Sequence, residues 1–141
     1  MNNVIIKRSQ IVECQFTGTP ATNKRYQFLT IPNLSRNNII LYAIECLSAD
    51  QLTTTPNSNT VISSANTVGV VVTLRDNNKD EFLYQFPIYN LIRQNVGGFF
   101  TLIKPRIINL TDCYCQLTAV GTIATNQVAA FNIIYSIVGE E

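Results

Sequence analysis

Alternation with a period of two residues runs through this chain, and it confines the fold to β-structure. Successive side chains of a strand point to opposite faces, so apolar residues at every second position mark a half-buried strand. Arg25-Tyr26-Gln27-Phe28-Leu29-Thr30-Ile31 sets Tyr26 and Phe28 opposite Gln27 and Leu29. Asp80-Glu81-Phe82-Leu83-Tyr84-Gln85-Phe86 aligns Phe82, Tyr84 and Phe86 on one face. Phe131, Ile133, Tyr135 and Ile137 oppose Asn132, Ile134 and Ser136. Val68 to Leu74 is a β-branched run, and Ile39 to Leu47 is apolar on both faces, as in a strand covered on two sides.

Adding Asn3–Lys7, Ile11–Thr17, Phe99–Ile103 and Cys113–Val120 predicts about eight or nine short strands, the density of an antiparallel sandwich or barrel. At most one short helix is expected, from Pro87 to Gln94, with Pro87 at its first position and Val96-Gly97-Gly98 ending it. Asp76-Asn77-Asn78-Lys79 reads as a hairpin turn, because asparagine tolerates positive φ. Ala49 to Asn66 reads as a long polar loop, the kind that in compact domains usually carries function or lacks order. No repeat or linker divides the 141 residues, and one domain over 1–141 is expected.

The surface this sandwich would present is nearly uncharged. Charged residues make up 13% of the chain, against about 25% in a typical domain, and asparagine and threonine supply the polarity instead. Interface cores are depleted in Lys, Glu and Asp in the same way. Ten Lys+Arg balance nine Asp+Glu, for a net charge of +1, which favours self-association. A nucleic-acid binder would show a clustered basic face. Lys7-Arg8 and Lys24-Arg25 read as solvated strand ends instead, so direct nucleic-acid contact is not expected. The first residues lack a basic start followed by a long apolar stretch, and the longest apolar run, Ile39 to Ile44, is far short of a membrane span. Synthesis in a cytoplasm is the expectation.

Catalytic chemistry is poorly supplied. With no histidine there is no imidazole base or ligand and no Ser–His or Cys–His pair. Cys14, Cys46, Cys113 and Cys115 lack the two closely spaced pairs of a four-thiolate zinc site, and read as buried reduced thiols. Among the acids Glu45 stands out inside an apolar strand, and is expected at an edge or subunit contact near an arginine. Asp76, Asn78 and Asp80 copy the first ligand positions of an EF-hand loop, but Glu81 replaces the required glycine and Pro87 the final glutamate. A non-EF calcium site at that turn stays open, as a minor alternative. Gly97-Gly98 has no phosphate-loop context. The sequons Asn33-Leu34-Ser35 and Asn109-Leu110-Thr111 read as chance in an Asn/Thr-rich chain. No catalytic residue, metal or cofactor is expected.

Phe82 to Pro87 with the Ile88–Gln94 segment, then Ile103-Lys104-Pro105-Arg106-Ile107-Ile108 leading into Asp112–Val120, give the chain an apolar–Pro–apolar texture. In this it resembles the small jelly-roll structural proteins of icosahedral viruses and phages: capsid, penton or capsid-associated proteins. The resemblance implies an all-β, antiparallel two-sheet sandwich, jelly-roll-like. It also implies a non-catalytic virion subunit that packs as a trimer or pentamer with itself and with other virion proteins. A different reading is a receptor- or glycan-binding module at the tip of a fibre or spike. Its candidate interaction residues are Leu52, Thr53, Asn57 and Asn59 of the long loop, with Tyr89 and Asn90 for stacking and hydrogen bonding.

Overall fold

The computed structural model describes residues 7–31, 34, 38–49, 61–92 and 100–138. Eight strands form two antiparallel four-stranded sheets. They are β1 (Arg8–Gln15), β2 (Arg25–Gln27), β3 (Ile39–Leu47), β4 (Val70–Arg75), β5 (Glu81–Pro87), β6 (Phe100–Ile108), β7 (Tyr114–Leu117) and β8 (Val128–Ile137). One sheet has the order β1-β8-β3-β6 and the other β2-β7-β4-β5. Thus β1 lies against β8, β2 against β7, β3 against β6 and β4 against β5. This is one long hairpin with its tip at the β4–β5 turn, folded over so that β3·β8 and β4·β7 close each sheet. That is the connectivity of a jelly roll, and the expected two-sheet sandwich is the fold.

The core lies between the sheets. Val12, Cys14, Ile39, Leu41, Ile44, Cys46, Phe131 and Ile133 from one sheet meet Val70, Val72, Leu74, Cys115 and Leu117 from the other. Phe28 packs its ring 5.8 Å from Phe131, and Phe16 meets Tyr26 edge-on at 5.0 Å. β3 is internal to its sheet, and on its outward face Ile40, Tyr42 and Leu47 are half-buried. A second small cluster of Val61, Val128 and Ala130, with Ile11 and Leu47 against it, covers part of the outer side. Glu45 is therefore not at an edge: it sits in this internal strand opposite Asn132 and is 2% exposed.

Several boundaries depart from the periodic pattern. β5 carries two bulges against β4: Arg75 pairs with Glu81, Leu74 with Leu83 and Val72 with Phe86. The extra residues break the Phe82/Tyr84/Phe86 face. Leu83 becomes the buried residue, Phe82 and Phe86 pack partly on the core, and Tyr84 is exposed. β6 runs unbroken through Pro105, which the sequence places in a separate segment. Proline is tolerated there because β6 is an edge strand with a register shift between Leu41/Arg106 and Ala43/Thr101. The predicted helix is only a 3-10 turn at Ile88–Leu91, with Pro87 preceding it in extended conformation. Of the predicted loop, Val61 bridges to Val128, Ile62 is buried, and Ser64–Thr67 forms one helical turn α1. Residues 50–60 of that loop lie outside the described residues, as do most of the Asn3–Lys7 strand, Gly97-Gly98, and Asn33 and Ser35 of the first sequon.

Candidate functional site

The two ends of the sandwich differ in charge. Turn 76–80 and the start of the β7 strand lie at one end. There Asp76 Oδ1 accepts the backbone N–H groups of Asn78 (2.9 Å) and Asp80 (3.0 Å), and Oδ2 accepts from Arg106 at 3.1 Å. Burial disfavours the Asp76 carboxylate, but the Asp80 and Asn78 amides and the Arg106 guanidinium outweigh it and hold this carboxyl below its ordinary range. Lys79 pairs with Asp112 at 3.0 Å and Arg75 with Glu81 at 3.2 Å. Asn77 donates its N–H to Ile107 O at 2.8 Å, tying the hairpin tip to β6. The turn that could have held calcium thus spends its one buried carboxylate on backbone amides and an arginine. Among the described residues no group of three or more acidic, thiol or imidazole side chains could hold a metal ion.

At the opposite end the described residues 16–24, 63–69 and 118–127 come together, and Lys24 is the one charged side chain among them. Its segments are bound to one another. Phe16 exchanges backbone hydrogen bonds with Gln127 and Asn126, Thr125 Oγ1 donates to Gly18 O, and the Thr122 hydroxyl donates to Asn66 Oδ1 at 3.0 Å. Gly69 is required by close approach, since a Cβ there would lie 2.6 Å from Ala119 O. Its own carbonyl accepts the Thr118 and Ala119 N–H groups.

Two open depressions flank Thr118 at this end. The larger, about 420 Å³, is lined by Thr22, Asn23, Gln85, Gln116 and Thr118, with Val71 and Leu117. The second, about 360 Å³, is lined by Ala65, Asn66, Val68, Gly69, Ala119 and Gly121 as well as Thr118. The larger one lies across the β2-β7-β4-β5 sheet, where Arg25, Gln116, Val71 and Pro87 pair in one row. Beyond that row, Arg25 and Arg75 place their guanidinium groups 4.4 and 5.5 Å from the centre of the Tyr114 ring.

Of the residues singled out for binding, Leu52, Thr53, Asn57 and Asn59 lie outside the described residues. Tyr89 and Asn90 are exposed on the 3-10 turn after β5, Tyr89 at 46%, and line neither depression. The residues that do line the larger depression escaped sequence reading. They come from a turn, a bulge and two strands, and no spacing or composition signal in the sequence groups them.

The four cysteines are buried and reduced. Burial pushes the Cys113 thiol up to about 12, and burial with neighbouring thiols raises Cys14 and Cys46 well above their ordinary value. Such thiols are poor nucleophiles. No family model, curated protein or solved structure matches the chain.

Proposed function

We propose that this protein is a non-catalytic structural subunit of a virion: a capsid, penton or capsid-decorating protein. It would act by packing against copies of itself and other shell proteins after synthesis in the host cytoplasm. The observation that carries the reading is the neutral end of the sandwich, where residues 16–24, 63–69 and 118–127 hold a single charge, on Lys24. A surface meant to stay in water normally mixes Lys, Glu, Asp and Arg across its whole extent. Here much of the described charge is gathered, already paired, at the other end. Depletion of charge is what separates the buried centre of a protein–protein contact from ordinary surface.

The jelly-roll order supports this reading without deciding it, since the same architecture serves shell proteins, lectins and cupins. Its four edge strands, β1 and β6 in one sheet and β2 and β5 in the other, leave backbone groups that a neighbour could pair. Tyr84 on β5 and Ile107 on β6 are exposed at those edges, at 60% and 37%. The test is the native mass at high concentration in physiological salt. A closed trimer, pentamer or larger particle is expected, and a monodisperse monomer would sink the proposal.

A further inference from the structure

We infer that the 420 Å³ depression across the β2-β7-β4-β5 sheet is a binding site for a neutral saccharide. This is separate from assembly, and Tyr89 does not line the depression. Carboxamides from Asn23, Gln85 and Gln116 converge there with the hydroxyls of Thr22 and Thr118 over the apolar side chain of Val71. A carboxamide both donates and accepts hydrogen bonds, as does a sugar hydroxyl, so no ionised group is needed on either side. The volume falls within the roughly 300–1,000 Å³ of small-molecule sites.

Some amides elsewhere in the fold are structural, whereas others, such as those of Asn77 and Asn78, face solvent. Asn66 Oδ1 accepts from Thr122, Asn109 Oδ1 from Thr111, Gln127 Oε1 from the Ala124 N–H, and Asn132 Oδ1 from Ser9. The five polar side chains of the depression make no hydrogen bond to another described residue, and four of them, Thr22, Asn23, Gln85 and Thr118, are exposed. Their backbones are nonetheless fixed. Thr22 bridges to Leu117, the Thr118 N–H is held by Gly69 O at 2.8 Å, and the Gln85 N–H by Thr73 Oγ1 at 3.2 Å.

Two of the five, Asn23 at φ 68° and Gln85 at φ 46°, occupy the left-handed region. Asparagine is at ease there, but glutamine is not, and glycine would serve the bulge better. A strained non-glycine residue held in a depression points to a use for its side chain. A bound peptide is the less suited occupant. Adding a strand needs a free sheet edge, whereas Val71 and Gln116 on the floor belong to the two internal strands of their sheet.

Saturation-transfer NMR on the full chain with maltopentaose, cellopentaose and chitotriose tests this. Transfer to at least one of them is expected. Gln116→Ala and Gln85→Gly should each weaken it about tenfold, the effect of one lost hydrogen bond. Gln85→Gly should do so with an unchanged or higher melting temperature, which separates lost binding from lost folding. Asn78→Ala, at the charged end, should bind as the parent does. No transfer to any of the three sugars, transfer only to a neutral tetrapeptide, or equal weakening by Asn78→Ala would each overturn the inference. None of these outcomes touches the native mass on which the assembly reading depends.

Discussion

Replacing Phe131 with alanine probes the register of the β8 strand, and with it the whole assignment of inside and outside. Phe131 is fully buried, opposite Val12 on β1 and Cys46 on β3, with the Phe28 ring 5.8 Å away. Losing the ring gives up roughly 100 Å² of buried apolar area, about 2.5–3 kcal/mol at about 25–30 cal/mol/Å². The cavity left behind raises the total to about 3–5 kcal/mol. Against an overall stability of about 5–15 kcal/mol, the variant should still fold, and Phe131→Leu, at about 1–2 kcal/mol, is the gentler companion. Urea denaturation followed by far-UV circular dichroism and by tyrosine fluorescence reads the loss directly. The chain has six tyrosines and no tryptophan. Equal slopes in parent and variant would license the comparison of midpoints. Ile134→Ala is the control, because Ile134 lies on the outer face and is only half-buried. A one-residue slip would exchange the two faces. If Ile134→Ala proves the costlier change, or Phe131→Ala costs less than about 1 kcal/mol, the register is wrong.

Other consequences can be checked with the same protein. The four thiols should resist a disulfide reagent at pH 8 in the native state and react together on unfolding; rapid native labelling would contradict their burial. Because the folded Cys113 value is raised from 9.0 to about 12, the unfolded chain loses its proton first. Stability should therefore be intact below about pH 9 and decline between about 9 and 12, with Cys113→Ala flattening part of that limb. Asp76 has the opposite sign: its folded value is lowered from 3.8, so its contribution is present above that pH and lost as pH falls through the depressed value. Asp76→Asn should lower stability at pH 7 and remove part of the acid dependence, and superimposable acid titrations of the two proteins would refute this. Gly69→Ala should cost about 1–3 kcal/mol, because a Cβ 2.6 Å from Ala119 O forces the backbone to shift; a neutral result in thermal denaturation would contradict that packing.

The strands were legible because burial imposes a period of two, and where that period is regular the reading holds. Phe131, Ile133 and Tyr135 point inward as expected, and β3 is covered on both faces. Reading failed where a strand breaks its own period. In β5 the two bulges each insert a residue that no composition signal announces, so the single face expected for Phe82, Tyr84 and Phe86 is broken, with Tyr84 exposed and Leu83 buried. The strand expected over Phe99–Ile103 runs on through Pro105 to Ile108 in β6, and its place at a sheet edge makes the proline tolerable. Glu45 is expected at an edge or a subunit contact because a buried charge is expensive, and the order β8-β3-β6 rules out the edge. The depression was hidden for a different reason. Its residues lie at positions 22–23, 71, 85 and 116–118 and meet only once the long hairpin has rolled up.

That rolling also explains how one sequence property supports the two proposed uses of the surface. The single chain-wide figure of 13% charge hides an uneven distribution, because every second turn of a rolled hairpin comes to the same end. Connections 16–24, 63–69 and 118–127 gather at one end, with the β4–β5 turn and the β6–β7 connection at the other. Charged residues concentrated around 75–81 and 104–112 therefore become one salt-bridged cap, and the Thr- and Asn-rich connections become one neutral cap. A neutral cap can be buried by a neighbouring subunit, and within it an amide-lined hollow can take a sugar. The two uses compete for Thr118 and Asn23 if the neighbour seats directly over the depression. Added cellopentaose or chitotriose would then shift the oligomer toward monomer, whereas unchanged native mass at saturating sugar would place the subunit contact on the edges carrying Tyr84 and Ile107.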